Sequence, residues 1–113
     1  MALPRAAATS IRTVRSALGT MAALIDGPSG YPVEGFNQRH YTQPTAIGFV
    51  AQLLASIAAG DIATEVMSPD DALGRLSTLV GSLLADQANS AIAYKGLLPW
   101  LNFSGPNRVR AAG

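Results

Sequence analysis

The side chains of this chain that could do chemistry gather in two short stretches. In the first, Tyr31, Phe36 and Tyr41 are interspersed with Glu34, Asn37, Gln38, Arg39 and His40; in the second, Trp100 stands close to Asn102 and Phe103. Aromatic rings offer flat apolar faces to the C–H side of a sugar ring, while amides and charged groups bond its hydroxyls, so this mixture suits a carbohydrate. Glu34, in the loop between Pro32 and Gly35 and flanked by Tyr31 and Phe36, is the acidic residue without a helix-stopping or capping explanation. An apolar loop setting would suit it to proton transfer. The plainer alternative is a loop carboxylate that is solvated or bonded to a backbone N–H. His40 is the only histidine and cysteine is absent, so neither a histidine metal cluster nor a Ser-His-Asp triad can be assembled. Arg39, His40 and Tyr41 precede the start of an apolar helix, where backbone N–H groups and side chains can converge on a polar ligand. The expected substrate-binding set is therefore Glu34, Arg39, His40, Tyr41, Trp100 and Asn102. No catalytic residue, metal or cofactor is assigned. For Phe36 and Trp100 the competing role is anchoring their segments onto the helices.

Three helices are expected to position these residues. Ile11, Val14, Leu18, Met21 and Ile25 recur at three- and four-residue spacing, predicting an amphipathic helix over about 6–25 that Asp26-Gly27-Pro28 ends. Residues 27–43 carry glycines and prolines without a period, and a connection of that length is usually functional or disordered. Pro44 suits a first helical turn, with Thr42 or Gln43 as cap, and opens an uncharged helix to about Gly60. Large apolar residues point in several directions around it, which predicts burial on all sides. Ser68-Pro69-Asp70-Asp71 is a strong start for a third helix, whose expected apolar face is Leu73, Leu76, Val80 and Leu83, widened by Leu79 and Leu84, with Arg75, Ser82 and Asp86 outward. Beyond Asn89 the sequence predicts a turn and short irregular or strand-like structure, then a disordered tail over 104–113.

Composition narrows the classes. The chain has 113 residues, one domain at most, with 49% hydrophobic and only 13% charged residues, about half the charged share of a soluble domain. That balance is expected where apolar surface meets further protein. A net charge of +1 with scattered basic residues gives no patch for nucleic acid. The run from Ser16 to Ile25 is short and interrupted, a poor fit to a signal peptide. The stretch from Ala46 to Ala59 falls short of the roughly 20 residues a bilayer needs, so a membrane span is not expected.

Tyr41-Thr-Gln-Pro-Thr-Ala-Ile-Gly-Phe49 resembles the Thr-x-Pro-Thr-x-Ile-Gly helix start of bacterial glucoamylase-like proteins, in which a small-residue helix and a Ser- or Thr-capped outer helix follow, as at Ser68 to Leu84. Tyr94-Lys-Gly-Leu-Leu-Pro-Trp-Leu-Asn-Phe103 is similar to the aromatic, polar turn that faces the cleft in such proteins. The resemblance spans about Met21 to Phe103. It implies an all-α fold, part of an (α/α)6 toroid over residues 1–103, acting on β-linked glucan or oligosaccharide by hydrolysis or transfer. It also implies an N-terminal fragment, inactive alone, that lacks later helices or self-associates, and it leaves an extracytoplasmic location open. Where that family has an Asn-Trp-Tyr-like run, this chain has Leu-Pro-Trp-Leu-Asn-Phe. The alternative expectation is a small helical-bundle interaction module without catalysis.

Overall fold

The computed structural model describes residues 5–104 and 107–111 and, within the first helix, the side chains of Arg12 and of residues from Arg15 onward. Three helices, α1 (Arg5–Ala23), α2 (Pro44–Ala58) and α3 (Pro69–Ala88), are joined by a three-stranded antiparallel sheet of β1 (Tyr41–Thr42), β2 (Leu101–Ser104) and β3 (Asn107–Arg110), in the order β1-β2-β3. The fold is thus mixed α/β. This corrects the all-α partial toroid expected from the sequence. The segment 107–110, expected to trail as a disordered tail, pairs with β2 along its length, from Ser104 opposite Asn107 to Leu101 opposite Arg110.

The helix starts follow the local chemistry. Ser68 caps α3 by accepting a hydrogen bond from the Asp71 N–H at 3.0 Å, and Pro69 occupies the first turn, where its missing donor costs nothing. Pro44 does the same for α2, but the capping residue Gln43 makes no side-chain cap bond; its amide goes instead to Glu34. Of the expected apolar face of α1, Leu18 and Ile25 are buried and Met21 packs against the core, while the side chains of Ile11 and Val14 lie outside the described residues.

Two expectations about faces are corrected. In α2, Ile47, Val50, Leu54 and Ile57 form one buried stripe, whereas Gly48, Gln52 and Ala55 are exposed and Phe49 is 65% exposed. Because Gly and Ala present little apolar area, that outer face can stand in water with Phe49 as its one large apolar side chain. In α3, Leu79 is buried and Leu76 and Leu83 pack against the core as expected, but Leu73, Val80 and Leu84 are exposed, and Ala72 and Asp86 are buried. The helix is turned so that a carboxylate faces inward, because partners await it there.

The connection between α1 and α2 is ordered from its first residues. Asp26 and Tyr31 close a turn through Asp26 N–H to the Tyr31 carbonyl at 2.8 Å and Gly30 N–H to the Asp26 carbonyl at 2.7 Å. The Asp26 carboxylate accepts from both the N–H and the hydroxyl of Ser29, at 3.0 and 2.6 Å. This turn lies directly on α3. Gly30, at φ +77°, passes so close that a Cβ would sit 2.6 Å from the Leu79 backbone nitrogen; the Ser82 hydroxyl donates to the Ser29 carbonyl at 2.7 Å; and the Tyr31 hydroxyl donates to Asp86 at 2.8 Å. Leu79, Ser82 and Asp86 recur at the spacing of one helical face, so the turn runs along α3 for two turns. Among the described residues, no helix is long and apolar enough to cross a membrane.

Candidate functional site

The two stretches singled out from sequence meet at the sheet. Tyr41 stands opposite Asn102 and Thr42 opposite Leu101, and the Phe103 N–H donates to the His40 carbonyl at 3.0 Å. Residues directly opposite in an antiparallel pair share a face, and the face alternates along each strand. One face therefore carries Thr42, Leu101, Phe103, Arg108 and Arg110. Thr42 and Leu101 are fully buried there against the helices. The other face carries Tyr41, Asn102 and Val109, the last 45% exposed, and Trp100 joins this side with its ring edge-on to Tyr41, centroids 6.5 Å apart. His40 adds a third ring, 4.1 Å from Tyr41 and tilted by 43°. Trp100 remains 49% exposed, so the three rings form an open platform.

Four of the six expected site residues, His40, Tyr41, Trp100 and Asn102, are thus brought together. Glu34 borders them through its backbone, donating its N–H to the Tyr41 carbonyl at 3.0 Å, while its carboxylate accepts from the Gln43 amide at 2.7 Å. Arg39 is not part of the platform: its guanidinium reaches the Ala23 carbonyl at 3.3 Å, where a cation complements the C-terminal end of α1. Tyr31, one of the alternating aromatics of the sequence, has gone to the core, fully buried. Phe36, expected to pin the loop, stands 58% exposed.

Polar groups at the sheet are incompletely paired. Asn102 Oδ1 and Thr42 Oγ1 are buried and have no hydrogen-bond partner among the described residues. An acceptor kept from water without a donor costs about 1–3 kcal/mol. Asn102 stands directly opposite Tyr41 and so shares its face of the sheet. A larger open groove of about 800 Å³ lies between α1, the connecting loop and α2, bordered by Thr20, Met21, Leu24, Val33 and Val50; none of the six expected residues borders it.

The sheet is fastened to the helices by charge. Asp86, 4% exposed, accepts from the Tyr31 hydroxyl and takes a two-pronged contact from Arg108 on β3, one prong being Nη2 to Oδ1 at 3.0 Å. Arg108 also lies over the Tyr31 ring, 5.3 Å from its centroid. Donating hydrogen bonds to the Asp86 carboxylate raises the pKa of the Arg108 guanidinium further above its ordinary range. Burial, and then the neighbouring Asp86 carboxylate, push the Tyr31 phenol well above its ordinary value. A folded-state pKa above the unfolded one gives stability that is complete below the unfolded value, near 10, and is lost as pH rises through the folded value. The melting temperature is therefore expected to decline steeply above about pH 10, and Tyr31→Phe to flatten that alkaline limb while lowering stability at neutral pH. A thermal-melt series against pH for both proteins checks this.

The 94–97 turn precedes Trp100 in the chain. Tyr94 and Leu97 exchange both backbone bonds, at 3.0 and 2.9 Å, across Lys95 and Gly96, whose φ values of 50° and 81° are both positive. That is the backbone of a two-residue type I′ hairpin. Lys95 lies 5.4 Å over the Tyr94 ring. The residues that sequence reading misses are on β3, because Arg108 and Arg110 fall in the expected tail. Arg-Val-Arg, an apolar residue between two polar ones after Ser104-Gly105-Pro106-Asn107, is the strand-after-turn signal that locates them. Compared with protein families, curated proteins and solved structures, the chain matches no family model, no curated protein and no solved structure.

Proposed function

We propose that this chain binds β-linked glucan or oligosaccharide on the outer face of its sheet, as the recognition part of a carbohydrate-active protein, without turnover of its own. The observation that carries the reading is the convergence of Tyr41 with Trp100 and Asn102, two segments far apart in sequence that strand pairing places on one face with His40 beside them. Two aromatic rings at an angle and a buried amide oxygen lacking a donor are complementary to a sugar's C–H face and its hydroxyls. The resemblance of residues 41–49 and 94–103 to glucoamylase-like proteins supports the β-glucan class.

Catalysis is not part of the proposal. Glycoside hydrolysis needs two carboxyl groups flanking one bond. Glu34 is the acid nearest in the chain to this face and is bonded to Gln43, while Asp26 is bonded to Ser29, Asp71 to Arg75, and Asp86 to Tyr31 and Arg108. A second reading, an interaction module, is favoured by one observation: Leu73, Val80 and Leu84, which lie along one line of α3, are 54%, 40% and 62% exposed.

Trp100 is the only tryptophan, so its fluorescence reports the site directly. Titration with laminari- and cello-oligosaccharides is expected to shift and quench that emission. Trp100→Ala, followed by calorimetry, should weaken binding by roughly tenfold or more, about 1.4 kcal/mol, and Phe49→Ala on the outer face of α2 should leave it unchanged. A wild-type chain silent toward both sugar series, yet associating with itself as concentration rises, would reject glucan binding and favour the interaction module.

A further inference from the structure

We propose that Arg110 is a positioning residue for the aromatic platform, a clasp that closes the segment 90–100 and thereby sets where Trp100 stands; its bearing on ligand affinity rests on the glucan-binding reading above. Arg110 touches none of the platform rings. Its guanidinium instead reaches the start of the segment: Nε donates to the Ile92 carbonyl at 2.8 Å, and Nη2 lies at 3.3 Å from the Ala93 carbonyl and 3.4 Å from that of Ser90. The next residue along the chain holds the other end, for the Ala111 N–H donates to the Trp100 carbonyl at 2.9 Å. Adjacent residues at the end of one strand therefore bind both ends of the same segment. Between them, Arg110 forms one wall of a cavity of about 240 Å³ bounded by Ile92, Tyr94, Leu97, Leu98 and Pro99.

The geometry calls for arginine. Three carbonyl oxygens converge on one planar fork with fixed N–H directions, which a lysine ammonium on a flexible stem cannot satisfy together. The segment needs such a restraint. Ile92 and Ala93 are buried and Leu98 packs against the core, but Tyr94, Leu97 and Trp100 are 64%, 71% and 49% exposed, so burial anchors parts of the segment and leaves Trp100 itself to the backbone bonds. Without the clasp, the segment keeps its anchors at Ile92 and Leu98 but loses the three bonds that fix its backbone, and the Trp100 ring is held less closely in its edge-on contact with Tyr41.

The test uses Arg110→Met, which keeps the aliphatic stem and leaves no buried charge unpaired, and Arg110→Lys, read in the full chain by acrylamide quenching of Trp100 and by oligosaccharide titration. Arg110→Met is expected to raise the quenching constant at least twofold and to weaken glucan binding about tenfold, with amide exchange in α2 and α3 unchanged. Arg110→Lys should restore less than half of the difference. Unchanged quenching in Arg110→Met, with the helical core intact, overturns the clasp. Loss of exchange protection throughout α2 and α3 also overturns it, because Arg110 would then support the whole fold. If wild-type protein binds no glucan, the quenching result still decides where Trp100 is held, so failure of the ligand reading remains separate from failure of the clasp.

Discussion

Arg108→Ala is expected to destabilise the protein by about 3–5 kcal/mol, because it leaves a buried carboxylate without its counter-charge. The side chains of Arg108 and Asp86 are only 14% and 5% exposed, so solvent screens the pair little. Asp86 keeps the Tyr31 hydroxyl as a donor, but one neutral donor replaces neither the charge nor the second bond. A loss of that size is a large fraction of the stability of a small domain, typically about 5–15 kcal/mol. The attraction itself is not what the number measures. Removing both charges together, in Asp86→Asn with Arg108→Met, keeps an acceptor for Tyr31 and is expected to cost under about 2 kcal/mol. Urea denaturation of the three proteins checks the pattern. A double variant as unstable as Arg108→Ala alone would show that packing, and not an uncompensated charge, dominates.

Gly30→Ala should cost about 2–5 kcal/mol from two terms. At φ +77° an L-residue gives up roughly 1–2 kcal/mol. The added Cβ would also lie 2.6 Å from the Leu79 nitrogen and 2.9 Å from its Cα; these are backbone atoms in the middle of α3 that cannot rotate away, so overpacking adds about 1–3 kcal/mol. Gly60 separates the terms. It has nearly the same φ, +83°, and a Cβ added there would meet nothing within 4 Å. Gly60→Ala is thus expected to show the backbone term alone, about 1–2 kcal/mol. Equal losses at the two positions in matched thermal melts would mean that the connecting turn does not lie against α3 as described.

The helix starts are legible in the sequence because their signals are local. Pro44 and Ser68-Pro69 carry their meaning within one turn of chain, and both helices begin where those residues place them. The direction in which α3 faces is not legible. Asp86 reads as a solvated residue until Tyr31 and Arg108, both distant in sequence, are known to meet it. The sheet is hidden for a similar reason. β1 is two residues long, too short for any alternation to show, and its partner strand lies beyond both α2 and α3. The all-α expectation follows from the family resemblance together with the three helical patterns, while the strand-like reading beyond Asn89 gives no pairing partner for β2. Of the candidate site, residue chemistry identifies Tyr41, Trp100 and Asn102, which strand pairing does unite. It cannot tell that Arg39 turns toward α1 or that Tyr31 fills the core, since a side chain's partner depends on which backbone carbonyls and carboxylates the fold brings near.

The proposed ligand face makes a sharp spectroscopic demand. In ¹H–¹⁵N spectra recorded during addition of a β-linked gluco-oligosaccharide, the Trp100 indole N–H and the backbone amides of His40, Tyr41 and Asn102 should move together and saturate with one affinity, while amides of the exposed α3 residues Leu73, Val80 and Leu84 stay in place. Saturable shifts confined to α3, or to the groove between α1 and α2, with the Trp100 indole unmoved, would contradict the assignment of the sheet's outer face as the place where this protein meets sugar.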